Sequence, residues 1–260
     1  MQTVQQNIFI FRTQHGPDND LSYIQDITKE LGASKVIINL NVSDEQSPLI
    51  AKWKTVLTPL NLQLITILDT HLKKEYPFYD GAWKHGYLQF VEVFKELKTR
   101  KIQNAYYWFW EYDLRLAGSI KSFFVTHGDW TEDFLGTWVD SYRNDPDWYW
   151  WNADNNNYDQ HNIPKEERYK AFAPVIRLSH RFMEKLTEVK DISGHIESYL
   201  PTLAAKFYGP ESIDNVDSIY WERDYLYRYQ PDVCTPNFFN AVLRFRKDAV
   251  NRLIHPVRDS

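Results

Sequence analysis

The chain has few of the residues that cross-link, bend or anchor a protein. Only one of its 260 residues is a cysteine, Cys234, so an intramolecular disulfide and a zinc site built of cysteines are excluded. Nine glycines are about half the usual share of roughly 7%, which argues against a collagen-like or glycine-linker protein. No stretch of about 18 apolar residues occurs, and no basic segment with an apolar core opens the chain. We therefore expect a soluble protein of the cytoplasm.

Charge and aromatic content narrow the choice of ligand. Thirty basic against 35 acidic side chains leave a net charge of −5, which argues against nucleic acid or an anionic membrane as the main partner. Ten tryptophans, 17 tyrosines and 15 phenylalanines favour stacking against flat ligands such as sugar rings or bases. No repeat, low-complexity tract or linker divides the chain, so one domain is the simplest organisation.

Hydrophobic patterns alternate between the two regular periods. They predict strands over 7–13, 35–41, 62–69 and 104–118, and helices over 21–31, 49–57 and 82–99. This alternation predicts a mostly parallel sheet, whose ligands gather at the carboxyl ends of the strands. The informative loops then follow Thr13, Asn41 and Asp69. The glycine-rich phosphate loops of dinucleotide-binding and P-loop enzymes are absent from the sequence.

The fourth predicted strand ends in two carboxylates. Glu111 and Asp113 are separated by one residue, so at a strand end their side chains point the same way. Such a pair suits a divalent cation that prefers oxygen ligands. The alternative is a solvated strand end in which Asp113 pairs with Arg115.

A loop rich in tryptophan follows at residues 145–156. Trp148, Trp150 and Trp151 stand there among aspartates and asparagines. Aromatic faces stack on sugar rings while the polar groups accept from hydroxyls, so the loop suits a carbohydrate platform. The alternative is an aromatic plug that closes the core, and both interpretations can hold for different tryptophans.

A further carboxylate lies at a predicted helix start. Glu197 falls in the first turn of a helix that opens at 194, where the helix dipole stabilises its ionised form. This position suits a general base. The alternative is an acid that only stabilises the helix N-terminus.

The order of these segments resembles a GT-A-type nucleotide-sugar glycosyltransferase. The stretch YYWFWEYDLRLAG resembles the Trp-x-x-Glu-Tyr-Asp-x-Arg signature of poorly characterised bacterial and fungal glycosyltransferase-like families. GHIES with LPTL is similar to their Gly-His-x-Glu…Pro-Thr segment, and IHPVR to their terminal His-Pro-Val-Lys. The resemblance implies a single α/β domain over 1–260 with a mostly parallel, Rossmann-like sheet flanked by helices. Residues 1–118 would form its nucleotide-binding half and 119–260 its acceptor-binding half.

The resemblance also implies roles for individual residues. Asp113 and His255 would bind Mn²⁺ or Mg²⁺, although Glu-x-Asp in place of the usual Asp-x-Asp leaves metal dependence open. Glu197 would deprotonate the acceptor hydroxyl in an inverting displacement. The donor would contact Arg12, Thr13, Gln14, Asp69, Glu111, Arg115 and Arg258, and the acceptor would contact Trp148, Trp150 and Trp151.

The resemblance extends to substrates and pathway. It implies a UDP-linked sugar donor and a glycan or lipid-linked saccharide acceptor in surface polysaccharide biosynthesis. Two other classes stay open. A glycoside hydrolase also needs two carboxylates and aromatic subsites, and a non-catalytic carbohydrate-binding module needs only the tryptophans.

Overall fold

The computed structural model describes residues 6–127, 130–153, 156–216 and 252–257. Nine strands lie in these ranges: β1 Asn7–Thr13, β2 Val36–Val42, β3 Gln63–Leu68, β4 Tyr106–Glu111, β5 Arg115–Ala117, β6 Phe134–Ser141, β7 Tyr169–Ser179, β8 Ile213–Asn215 and β9 Arg252–Ile254. Seven α-helices accompany them: α1 Leu21–Leu31, α2 Pro48–Leu57, α3 Asp69–Glu75, α4 Ala82–Thr99, α5 Ile120–Thr126, α6 His180–Glu188 and α7 Ile196–Tyr208. Arg258 lies outside the described residues.

One seven-stranded sheet organises these elements. Its strand order is β3-β2-β1-β4-β7-β6-β8. The pairs β3–β2, β2–β1, β1–β4 and β6–β8 are parallel, whereas β7 runs antiparallel to both of its neighbours. Helices cover both faces, with one buried apolar cluster on each. The prediction of a mostly parallel α/β sheet flanked by helices is confirmed.

Strand β4 lies at the centre of the sheet and is aromatic on both faces. Phe109 stacks on Phe90 of α4, with ring centroids 3.9 Å apart. On the opposite face Trp108 stacks on Phe124 of α5 at 5.3 Å. Side chains alternate between the faces of a strand, so a continuous aromatic run fills both layers. The run therefore builds the core, and Glu111 ends it at the carboxyl edge.

Helix α4 covers the face of the sheet that carries the candidate site. Leu88, Val91, Phe94 and Leu97 recur at helical spacing and are buried against the strands. The helix begins after Gly81, whose φ of 96° is a left-handed conformation that glycine adopts without strain. Its first turn consequently lies at the carboxyl edge of the sheet.

Two differences from the predicted boundaries affect candidate residues. The third strand stops at Leu68, because Asp69 already begins α3. The predicted fourth strand is interrupted at 112–114, so β5 leaves the main sheet and pairs with β9 instead. The turn between β4 and β5 carries Asp113. Among the described residues, no helix is long and apolar enough to cross a bilayer.

The stacked Phe109–Phe90 pair predicts where the fold is most easily weakened. We expect Phe109→Ala to lower the free energy of unfolding by about 3–5 kcal/mol, because the cavity cannot close within a central strand. Urea denaturation followed by circular dichroism measures the loss. Truncation of Val125, an exposed apolar side chain, is the control and should change stability little. A loss below about 1 kcal/mol for Phe109→Ala would contradict this packing.

Candidate active site

A cavity of about 340 Å³ opens at the carboxyl edge of the parallel strands. Its walls come from the loops after β1, β2 and β4, the first turns of α4 and the tail after β9. The lining residues are Arg12, Thr13, Gln14, Asn41, Ala82, Trp83, Gln89, Glu111, Tyr112, Asp113, His255 and Pro256. Six of the residues predicted for donor or metal therefore surround one space.

Glu111, Asp113 and His255 form a compact cluster in this cavity. Their ligand atoms all lie within 4.8 Å of one another. His255 Nε2 is 3.2 Å from Asp113 Oδ1 and 3.6 Å from Glu111 Oε2. Two carboxylate oxygens and one imidazole nitrogen are donors that Mn²⁺ or Mg²⁺ accepts. The residues present thus fit a divalent cation.

Backbone pairing brings the tail histidine to this cluster. Ile254 pairs with Arg115 across the β5–β9 ladder. Beyond that ladder, the Val257 N–H donates to the Asp113 carbonyl at 2.7 Å. His255 lies between these two attachments, so its ring is held beside Asp113 although about 140 residues separate them in sequence.

Arg115 lies behind the cavity. Its Nη2 donates to Asp20 Oδ1 at 2.7 Å, and its Nη1 donates to the carbonyls of Tyr112 and Leu114. Those carbonyls flank Asp113. The guanidinium is buried and is not part of the cavity lining. Arg115 therefore positions the turn that carries Asp113, and its contact with a donor stays a prediction.

Arg12 places a buried positive charge beside the acidic cluster. Its Nη1 is 3.5 Å from Glu111 Oε1, and its guanidinium lies over the Phe90 ring at 4.6 Å. Within the described part of the chain, its Nε and Nη1 have no hydrogen-bond partner. Burial lowers the pKa of Arg12, and the carboxylates of Glu111 and Asp113 oppose that shift. Such donors suit an anionic oxygen of a ligand.

His255 carries its charge because of the carboxylates. Burial alone would lower the pKa of this imidazole, but hydrogen bonding to Asp113 and Glu111 raises it to about 9. Without a cation, the positive charge of the protonated ring therefore offsets part of the negative charge of the two carboxylates at neutral pH. A cation in the cluster would replace that proton, because only a neutral imidazole ligates a metal.

Asp69 lies next to the cavity, behind its lining. It accepts from the Tyr79 hydroxyl at 2.6 Å and from the Asn41 amide at 3.1 Å. Asn41 itself lines the cavity. Asp69 therefore orients Asn41, which places a side-chain amide where the sequence predicted a carboxylate.

Glu197 lies in the first turn of α7, as predicted. The Ala173 backbone N–H donates to its Oε1 at 3.4 Å, and the backbone N–H of Glu197 donates to His195 Nδ1 at 3.4 Å. Burial raises the pKa of Glu197 to about 8, and repulsion from Glu111 adds to the shift. Attraction to His255 acts in the opposite direction. The charges of Glu111 and His255 therefore affect the pKa of this carboxyl.

The tryptophans of the loop over residues 145–156 fall into two groups, one for each interpretation. Trp148 and Trp150 line a groove of about 600 Å³. Trp151 is 1% exposed, and its indole N–H donates to the Asp145 carbonyl at 2.7 Å. Trp151 therefore fills the interior of the loop, as in the second interpretation, and its contact with an acceptor stays a prediction.

Three residues of this region were not singled out in the sequence. Trp83 lines both the cavity and the groove, Gln89 lines the cavity, and His195 caps α7. A polar Gln89 within the apolar run of α4 is a signal that the sequence offered. The contacts of Trp83 and His195 depend on tertiary structure alone.

No protein-family model and no curated protein matches the sequence. Among solved structures, one similar chain is a mannosyltransferase from Pyrobaculum calidifontis in complex with GDP-Man and Mn²⁺. The two chains are 10% identical, with a TM-score of 0.42. The alignment covers 81% of this chain and 56% of the mannosyltransferase chain, so this chain spans little more than half the length of that protein.

The acidic cluster predicts a measurable affinity for Mn²⁺. We expect Asp113→Asn to weaken Mn²⁺ binding by about 10- to 100-fold or more, since loss of a supporting partner alone has that effect at metal sites. Calorimetric titration of the purified chain measures it. Asp26→Asn, at an exposed position of α1, is the matched control and should bind Mn²⁺ like the wild type. Equal affinity in both variants would contradict the assignment.

The raised pKa of Glu197 predicts a pH-dependent cost in stability. The folded carboxyl stays protonated up to about pH 8, whereas the unfolded one ionises above its ordinary value of 4.5. The folded state therefore binds more protons between these values, and its stability falls as pH rises through that window. We expect Glu197→Gln to be more stable than wild type at pH 8 and similar at pH 4.5, in urea melts with EDTA. An unchanged difference between the two pH values would contradict the shift.

Proposed function

We propose that the protein is a glycosyltransferase that moves a sugar from a nucleotide-sugar donor to a hydroxyl of a saccharide acceptor. One observation carries the proposal. The cavity at the carboxyl edge of the parallel strands joins the cluster of Glu111, Asp113 and His255 to buried Arg12, whose Nε and Nη1 make no hydrogen bond to any described residue. A diphosphate needs both kinds of group, since its charge is balanced by a cation and by guanidinium hydrogen bonds.

In this proposal the donor occupies the cavity. Glu111, Asp113 and His255 would hold Mn²⁺ or Mg²⁺, whose positive charge would offset the charge of the leaving diphosphate. Arg12 donates to phosphate oxygens from the side of β1. The nucleoside contacts Thr13, Gln14 and Asn41, and Asp69 orients Asn41 from behind. We favour a UDP-linked sugar as the donor. Residues 1–118 supply this nucleotide-binding half, and His255 reaches it from the tail after β9.

Glu197 is the proposed general base. It takes the proton of the acceptor hydroxyl as that oxygen attacks the anomeric carbon and the bond from this carbon to the diphosphate oxygen breaks. The attack and the departure occur on opposite faces, so the configuration inverts. With no cation bound, the carboxyl is protonated at neutral pH because its pKa is about 8. A divalent cation at Glu111 and Asp113 would lower that pKa by electrostatic attraction, and the ionised carboxylate could then act as the base. Its coupling to Glu111 and His255 supports a position near the reacting atoms.

The groove lined by Trp148 and Trp150 is the proposed binding site of the acceptor. Residues 119–260 supply Trp148 and Trp150, whose ring faces suit the C–H surfaces of a sugar. We propose a glycan or lipid-linked saccharide as acceptor, in the biosynthesis of a surface polysaccharide in the cytoplasm.

Nucleotide binding tests the proposed class directly. We expect one of UDP, GDP, CMP or dTDP to raise the melting temperature in a thermal-shift screen, and only when Mn²⁺ is present. A ligand at 100 times its Kd adds about 2.7 kcal/mol to the stability of the folded state. Asp113→Asn should abolish the shift, while Asp26→Asn keeps it. The absence of a shift with every nucleotide would overturn the transferase and favour a hydrolase or a binding module.

Substitution of the proposed base separates chemistry from binding. We expect Glu197→Gln to lower kcat by about 100-fold or more and to leave the Kd of the nucleotide nearly unchanged, because the amide keeps the shape but accepts no proton. Single-turnover kinetics and calorimetry give the two values with whichever donor the screen identifies. Equal losses in rate and in donor binding would remove Glu197 from the role of base.

A further inference from the structure

The groove beside the cavity has a shape and chemistry of its own. Its walls combine aromatic rings with polar side chains: Trp83, Lys84, Pro146, Asp147, Trp148, Tyr149, Trp150, Asn152 and Ala153. Trp83 and Tyr149 are 63% and 76% exposed. Both rings contact Trp150, and contiguous exposed apolar surface of this kind marks ligand-binding grooves. The arrangement gives flat apolar faces alternating with groups that bind hydroxyls.

Trp83 connects this groove to the cavity. It lines both spaces, and its ring meets Trp150 edge-on at 4.8 Å. A ligand that fills the groove therefore ends at the wall of the cation cavity. A chain of sugar rings is long enough to occupy both spaces, whereas a single ring fills only one of them.

His195 lies behind Trp150, outside the lining of the groove. Its ring is buried and lies parallel to Trp150, with centroids 4.5 Å apart and planes at 4°. Its Nδ1 accepts from the Glu197 backbone N–H, so the neutral ring carries its proton on Nε2. In the described ranges of the chain, Nε2 has no hydrogen-bond partner. Burial, with repulsion from His85 and Lys84, lowers the pKa of His195 to about 4, so the ring stays neutral.

We propose that Trp83, Tyr149 and Trp150 form a second sugar subsite, which binds the residue of an oligosaccharide acceptor that follows the reacting one. The aromatic faces stack on the sugar ring, and Asp147 and Asn152 in the same lining bind its hydroxyls. The acceptor is thus a neutral saccharide of at least two rings. This inference rests on the proposed function for its direction, because the reacting ring must lie toward Glu197.

The lining favours a saccharide over a membrane surface. Asp147 and Asn152 lie among the rings, and both accept from hydroxyls. The negative charge of Asp147 repels anionic headgroups. Lys84 is already paired with Asp80 at 2.5 Å, so the groove offers little attraction for them.

Direct binding of oligosaccharides tests the subsite. The probes are cellotriose, maltotriose, laminaritriose, mannotriose and chitotriose, followed by saturation-transfer NMR and tryptophan fluorescence, with and without UDP and Mn²⁺. We expect at least one trisaccharide to bind more tightly than its monosaccharide. Trp150→Ala and Tyr149→Ala should each weaken it by about threefold to tenfold, and Trp130→Ala, a tryptophan outside the groove, should not.

Further variants keep the test decisive. Tyr149 is a surface residue, so its variant folds even if Trp150→Ala does not. Trp83 is also exposed and lines the groove, and we expect Trp83→Ala to weaken trisaccharide binding as Tyr149→Ala does. Unchanged trisaccharide affinity in both Tyr149→Ala and Trp83→Ala would overturn the subsite.

The outcomes separate the two proposals. Nucleotide binding without binding of any trisaccharide overturns the subsite and leaves the transferase. Trisaccharide binding that depends on Tyr149, without nucleotide binding, supports the subsite and overturns the transferase. Binding to phosphatidylcholine vesicles that depends on Tyr149, without trisaccharide binding, overturns the subsite in favour of a membrane contact.

Discussion

The candidate site depends on one backbone attachment, the pairing of the tail with the turn after β4. The β5–β9 ladder and the Val257–Asp113 hydrogen bond place His255 against two carboxylates. Backbone hydrogen bonds set this geometry without regard to side-chain charge. The attachment therefore holds even while the cluster exchanges a proton for a cation. Arg115, bonded to the carbonyls on both sides of Asp113, stiffens the same turn.

Burial of opposite charges gives this site its chemical character. Arg12, Asp113 and His255 are largely buried beside Glu111, so their interactions are stronger than on the surface. Burial of Asp20 raises its pKa to about 6, and its ion pair with Arg115 opposes that shift. Charges buried in this way cost stability. The proposed function gives them a role, because an anion and a cation would bind there together.

The high aromatic content serves two separate purposes. The run in β4 is packed between α4 and α5 and stabilises the sheet. The rings of Trp83, Tyr149 and Trp150 instead surround an open groove. Composition alone could not divide these sets, because an aromatic side chain has the same hydrophobicity in either place. Trp151 shows the difficulty, since it stands next to Trp150 in sequence and is buried in the loop.

The sequence by itself determined the local elements and the carboxyl edge at which ligands meet. Period and capping placed β1, α1 and α4 at their observed bounds, and the spacing of Glu111 and Asp113 placed both carboxylates at one strand end. Tertiary structure alone decided which side chains those residues face. Arg115 turns to Asp20 because the two meet across 95 positions, and His195 stacks on Trp150 because a loop folds over a helix end. Such contacts join segments that are distant in the chain, and no local pattern encodes them.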